Sequence, residues 1–115
     1  MYAAIRFELR QHQLTALDVS RNTALVNLEC DFNQITRLDV SKNSALDIIS
    51  IVGNQFTASA LNGLFRSLPD YSQTDKIAVI YLMGYHSEIF DNPGNRDCDR
   101  SIALERGWGF MSKGL

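Results

Sequence analysis

Asp91, Asn95, Asp97 and Asp99 crowd one stretch of the chain, and oxygen-bearing side chains this close together are what a calcium ion takes as ligands. The spacing fails as an EF-hand, because the glycine and the distal glutamate of that loop are not at their required offsets. A turn leading into a capped helix uses the same residues without an ion. His12 and His86 are the only histidines, and neither neighbours a cysteine or carboxylate at ligand or triad spacing. Cys30 and Cys98 are too few for a disulfide framework and too scattered for a zinc site. No nucleophile motif, phosphate-binding loop or dinucleotide fingerprint is present. Ser20 and Ser41 recur with the period of the chain itself, which marks them as structural. The expectation is a chain with no catalytic residue, no cofactor and no metal.

The chemistry that remains is surface recognition, so the elements carrying the surface matter. At 115 residues the chain is one domain by length, with a small core. A net charge of −2 offers no basic footprint for nucleic acid and no polybasic stretch for an anionic membrane. Charges interrupt every apolar stretch well before the roughly 20 residues a membrane span needs, so no membrane insertion is expected. The start, MYAAIRFELR, lacks the plan of a signal peptide. On that reading the chain is cytoplasmic, or a mature or truncated piece of an exported protein.

The organising feature is a repeat. Displaced by 21 residues, LTALDVSRNTALVNLECDFNQ (14–34) falls on ITRLDVSKNSALDIISIVGNQ (35–55). Leu17 then matches Leu38, Val19 matches Val40, Asn22 matches Asn43, Leu25 matches Leu46 and Asn33 matches Asn54. The register runs backwards as well, with Phe7 under Leu28, Leu9 under Cys30 and His12 under Asn33. A nested half-unit of 11 residues reads L-x-x-L-x-(V/C/I)-x-x-N. Its alternation is that of a short strand with apolar side chains on one side, and its Asn turns the chain. A buried Asn can satisfy main-chain groups in such a bend, so Asn22, Asn33, Asn43 and Asn54 are expected to be structural. Cys30 shares a buried column with Leu9 and Ile51 and should behave as a small hydrophobe.

After Asn54 the pattern changes. Thr57 is a helix N-cap ahead of Ala60, Leu61, Leu64, Phe65 and Leu68 at helical spacing, and Pro69 stops the helix. KIAVIYLM (76–83) reads as a strand covered on both faces. GYHSEIFDNPGNRD is a long loop with Asn92-Pro93-Gly94 as its turn signal. A short helix follows, with Asp97 or Asp99 near its start and Gly107 at its end, and Trp108 to Met111 could add a last strand.

The half-unit resembles the leucine-rich-repeat signature. Its alternation of LDVSKN-like and LxCxxNQ-like halves resembles a class of bacterial surface leucine-rich-repeat proteins that is internalin-like in broad terms. ASALNGLFRSLPD and NPGNRDCDRSIALERGW resemble the C-terminal cap of the same class. In that class the NPG turn follows its strand almost at once, whereas here YHSEIFD intervenes. The resemblance implies an α/β leucine-rich-repeat solenoid of about 2.5 coils with short parallel strands. Residues 4–56 would be repeats, and 57–115 a helix-strand-helix cap. It also implies a bacterial surface or secreted setting.

The repeats then allow an internal comparison. On the LDVS side the outward residues hardly change: Asp18 with Asp39, Ser20 with Ser41, Arg21 with Lys42. On the other side they vary from unit to unit, as Arg6, Asn27, Ile48; Glu8, Glu29, Ser50; Arg10, Asp31, Val52; and Gln11, Phe32, Gly53. These columns should form a small face grading from charged to apolar, with Phe32 exposed as on a protein-binding patch, and Ile48 and Val52 either exposed with it or covered by the C-terminal cap or its long loop. The reading is a non-catalytic module with a protein partner. Two alternatives stand beside it. One is self-association through an N-terminal edge, since nothing before Ala4 could cap the first coil. The other is carbohydrate binding, weakened because Phe32 is the one aromatic on the face.

Overall fold

Of the two L-x-x-L-x-(V/C/I) halves in each repeat, the second forms a strand, while the LDVS half (14–20 and 35–41) runs without strand pairing although its alternation is the same. A computed structural model describes residues 13–84 and 92–113 with the main chain of 5–8, and side chains from 13 to 84 and 92 to 112. Strands β1 (Ile5–Glu8), β2 (Leu25–Glu29) and β3 (Ile48–Ser50) come from the repeats. They are followed by helix α1 (Ala58–Ser67), β4 (Ala78–Gly84), the short helix α2 (Ser101–Leu104) and β5 (Trp108–Lys113). The strands make one sheet in the order β1-β2-β3-β4-β5, and every neighbouring pair is parallel. The fold is α/β.

One face of the sheet holds the core. Leu25, Leu28 and Cys30 from the first full unit align with Leu46, Ile49 and Ile51 from the second, all fully buried. Ile80, Leu82 and Trp108 extend the same face, and Ile35, Leu38, Val40, Phe56, Leu61, Leu64 and Phe65 close on it from the return segments and α1. α1 begins where Thr57 predicts, its hydroxyl accepting from the Ala60 N–H at 3.1 Å. α2 differs from expectation. Its N-cap position is Arg100 with no side-chain cap, while Asp99 accepts from the Ser101 N–H just inside it. Gly107, at φ +85, ends that turn as expected.

The asparagines bind one unit to the next. The Leu14 N–H donates to Asn33 Oδ1 at 3.0 Å, and the Ile35 N–H donates to Asn54 Oδ1 at 3.1 Å. The amide of Asn54 reaches back to the Cys30 carbonyl at 3.0 Å, and that of Asn43 to the Val19 and Asn22 carbonyls. Asn92, which reads in sequence as a turn residue, is a further rung. It accepts from the Phe56 N–H at 3.1 Å and donates to the Ile51 carbonyl at 2.8 Å. The main chain repeats the same way: the Gln34, Gln55 and Gly94 N–H groups donate to the Leu14, Ile35 and Phe56 carbonyls.

The residues after 56 therefore continue the repeat at a longer spacing. β4 takes the next place in the sheet, with Val79 beside Ile48 just as Ile48 lies beside Asn27. The displacement that carries Ile48 onto Val79 also lays Asp39-Val40-Ser41 on Asp70-Tyr71-Ser72 and Asn43 on Thr74. The Ser20, Ser41 and Ser72 N–H groups donate to Asp18, Asp39 and Asp70 respectively, at 2.8–2.9 Å. α1 occupies the extra length, and the Ser67 hydroxyl accepts from the Val40 N–H at 3.1 Å. Tyr71 joins the two halves: its hydroxyl donates toward the Ser44 and Leu46 carbonyls and its ring stacks on Trp108. The strands expected at 76–83 and from Trp108 are β4 and β5, and they prolong the sheet itself.

The three aspartate turns set an acid limit. Hydrogen bonds from the Ser20, Ser41 and Ser72 side chains, and then from their main chains, hold Asp18, Asp39 and Asp70 below the ordinary carboxylate value. Their contribution is fully present above the ordinary range near pH ~4 and is lost as pH falls below it. Asp47 has the opposite sign. Burial raises its carboxyl, and Lys76, 3.9 Å away, lowers it by less. Protonating Asp47 in acid therefore restores some stability. The thermal midpoint is expected to fall between about pH 4 and pH 2, and Asp47→Asn to raise it at neutral pH by an amount that shrinks as pH falls toward about 4; a gain that grew in acid would reverse the sign assigned to Asp47.

Candidate interaction surface

The face of the sheet opposite the core carries the variable columns. Pairing places Arg6 beside Asn27, Asn27 beside Ile48, Ile48 beside Val79 and Val79 beside Gly109. The next column runs Glu8, Glu29, Ser50, Tyr81, Met111. The comparison of repeats thus gives the strand neighbours correctly for Arg6, Asn27 and Ile48, and for Glu8, Glu29 and Ser50. The side chains of Arg6 and Glu8, and all of Arg10 and Gln11, lie outside the described residues, as does the 85–91 insertion.

Four residues expected to face a partner do not. Asp31, Ser50 and Val52 are fully buried and Glu29 nearly so. The cause is bonding between units. Asp31 Oδ1 accepts from the Ser50 hydroxyl at 2.6 Å and from the Val52 N–H at 3.0 Å, so one carboxylate ties two successive bends together. The Val52 carbonyl accepts from the Phe32 N–H at 2.9 Å, which draws its residue into the same bend. Alternation gives the direction in which a side chain leaves a strand, but not what covers it. These positions hold the scaffold together.

Phe32, Asn27 and Ile48 are each partly buried. Phe32 has φ +58, and its counterpart Gly53 has φ +71, so this column is a left-handed bend before it is a surface. Asn27 Oδ1 is buried, and among the described residues no donor reaches that oxygen.

The surface that remains open lies farther along the sheet than the repeats alone suggest. Val79, Tyr81 and Met83 are partly exposed, while Ala78, Ile80 and Leu82 between them are buried. β4 is therefore not covered on both faces, as its apolar run implies. Ile77, just before the strand, is 84% exposed, and Met111, beside Tyr81, is 51% exposed. The strict alternation from Ala78 to Met83 carried this signal, but a run without a polar residue conceals it. The result is an apolar strip of Ile48, Val79, Tyr81 and Met111 with Ile77 at its rim.

A groove lies on the LDVS side, where the expected ladder is found. Leu17, Leu38, Ala60, Gly63 and Leu64 floor an open groove of about 990 Å³, with Asp18, Asp39, Arg37 and Lys42 along it. A Cβ on Gly63 would meet nothing within 4 Å. The aspartates there are engaged by their own serines, as above, and the outer residues repeat from unit to unit.

Of the residues that first suggested chemistry, Asn95 and Asp99 have structural partners, while His12, His86 and Asp91 lie outside the described residues. Asp99 accepts from the Ser101 N–H and hydroxyl, and the Asn95 amide donates to the Leu82 carbonyl at 3.2 Å. Cys30 is buried with its sulfur 3.6 Å from the Ser50 carbonyl, and burial pushes the half-buried Cys98 thiol up. Among the described residues no three His, Cys, Asp or Glu side chains gather as a metal ion would need, and no helix is long and apolar enough to cross a membrane. No family model, no curated protein and no solved structure matches the chain.

Proposed function

We propose that the chain is the C-terminal part of a leucine-rich-repeat solenoid, of the bacterial internalin-like kind, and that it is a non-catalytic module that binds a protein partner through its outer sheet face. The solenoid reading is supported by the sequential parallel strand order and by the Asn contacts that recur from unit to unit through Asn92. Surface or secreted placement follows from the resemblance of the repeats and the NPG segment.

One observation carries the functional reading: apolar side chains stay open on a rigid, hydrogen-bonded sheet, with Ile77 at 84% exposure and Ile48, Val79 and Tyr81 beside it. Leaving Ile77 in water forgoes roughly 1.5–3 kcal/mol, and the partly buried Ile48, Val79 and Tyr81 forgo less, which a covering partner would recover in part. Large apolar residues on a firm surface are the usual anchors of a protein contact. A sugar would call for more flat aromatic surface than Tyr81 and Phe32 provide.

The test is affinity capture from bacterial-surface and host-cell extracts, with the native chain beside the double variant Ile77→Asp, Val79→Thr. Both positions lie off the core columns, and a thermal melt checks the fold. The expected result is a partner held by the native chain and weakened at least tenfold in the folded variant. Equal retention by both would remove the outer face as the binding site.

A further inference from the structure

We infer that two copies of this chain pair edge to edge through β5, antiparallel and about a two-fold axis. β5 is the outermost strand of the sheet, and among the described residues no strand lies on its far side. A strand paired on one side directs the N–H and C=O groups of alternate residues to the open side. A row of such groups at strand spacing is satisfied in full only by another strand, about 4.8 Å away.

The two edges of this sheet are not alike. β1, at the other edge, has Arg6 and Glu8 within its short span, and charges on an edge strand discourage pairing. β5 reads WGFMSK, uncharged from Trp108 through Ser112. It also lacks proline, so nothing in it blocks a further ladder of main-chain bonds. Self-association, which the sequence suggests at the N-terminal edge, belongs by this comparison at the opposite one.

Charge and exposure also select the second copy and its direction. In a parallel arrangement the two Lys113 positions would lie side by side. In an antiparallel pair centred on Met111 they are about 14 Å apart, at roughly 3.4 Å per residue. That is beyond the screening length of roughly 8–10 Å at ordinary salt. The antiparallel pair also sets the two Met111 side chains, each 51% exposed, next to the axis. The outer faces of both copies then join into one apolar surface, with Ile77 and Val79 of each still open. A head-to-tail contact of β5 on β1 would instead grow without closing, and would set an uncharged strand against a charged one.

The inference stands apart from the partner-binding reading, because it concerns the edge and not the face. Sedimentation equilibrium of the full chain across a wide concentration range tests it. The expected outcome is a monomer–dimer equilibrium that stops at two. Met111→Glu, which sets two like charges beside the axis, should raise the dimer Kd at least tenfold without altering the melt of the monomer. Ile77→Asp should leave that Kd unchanged. Spin labels attached at Ser112, which is exposed, should report a separation below about 20 Å between copies, given the strand spacing. A chain that stays monomeric at millimolar concentration, an open-ended ladder of oligomers, or a dimer indifferent to Met111→Glu would each overturn the proposal.

Discussion

Gly94→Ala is expected to cost at least about 3 kcal/mol and to detach the segment after Asn92 from the repeats. A Cβ at this position would lie 2.2 Å from the Ala58 nitrogen and 2.2 Å from the Thr57 carbonyl carbon. Both are main-chain atoms at the start of α1, so no side chain can swing aside to make room. Gly94 cannot back away either, because its own N–H donates to the Phe56 carbonyl at 2.8 Å. The demand is for space and not for a special backbone angle, since the left-handed glycines among the described residues are Gly53 and Gly107. Gly63→Ala makes the control. It adds a methyl where nothing lies within 4 Å, and in a helix interior it should stabilise by about 0.5–1 kcal/mol. Urea unfolding of the two variants checks both, and a Gly94→Ala chain of native stability would contradict the contact.

Asn54→Ala should cost about 3 kcal/mol, because one side chain serves main-chain groups in two units. Its oxygen accepts from the Ile35 N–H, and its amide donates to the Cys30 and Ile51 carbonyls at 3.0 and 3.1 Å. Ile35, Cys30 and Ile51 are fully buried, so water does not readily replace what the alanine removes. Each buried group left without a partner costs about 1–3 kcal/mol, and partial relaxation keeps the total below the sum. Asn54→Asp should be no better, since it keeps the acceptor but faces two carbonyls with a carboxylate. Urea unfolding measures both, and a loss under about 1 kcal/mol would show that the bend reopens to solvent.

Much of the fold was legible because the repeat is its own alignment. Sliding the chain by one repeat places Leu25 over Leu46 and Asn33 over Asn54, and stacking parallel strands turns those coincidences into columns. Thr57 and Pro69 bound α1 by local rules that need no tertiary context. The repeat became illegible where its spacing changed. α1 lengthens the third unit, so Asp70-Tyr71-Ser72 lies more than one repeat beyond Asp39-Val40-Ser41, with Tyr in place of Val. The inserted segment 85–91 then carries Asn92 farther still from Asn54, and a proline follows it where the earlier units have glutamine.

The candidate face was half legible for a different reason. Register follows from periodicity, which is why Arg6, Asn27 and Ile48 fall in one column across the strands. Burial follows from what the neighbouring bends bond to. Asp31 looks in sequence like any outward carboxylate, yet the Ser50 hydroxyl and the Val52 N–H both donate to it. The open apolar strip lay in the opposite kind of segment, since nothing polar in AVIYLM marks which of its faces is uncovered.

The proposed function requires a partner to make its contact on the outer face of the sheet. Carbene footprinting of the chain, free and with its captured partner, measures this side chain by side chain. The prediction is that Ile77, Val79 and Tyr81 lose labelling in the complex while Ala16, Leu17 and Ala60, along the LDVS groove, keep theirs. Protection of the groove with the sheet face still labelled would contradict it.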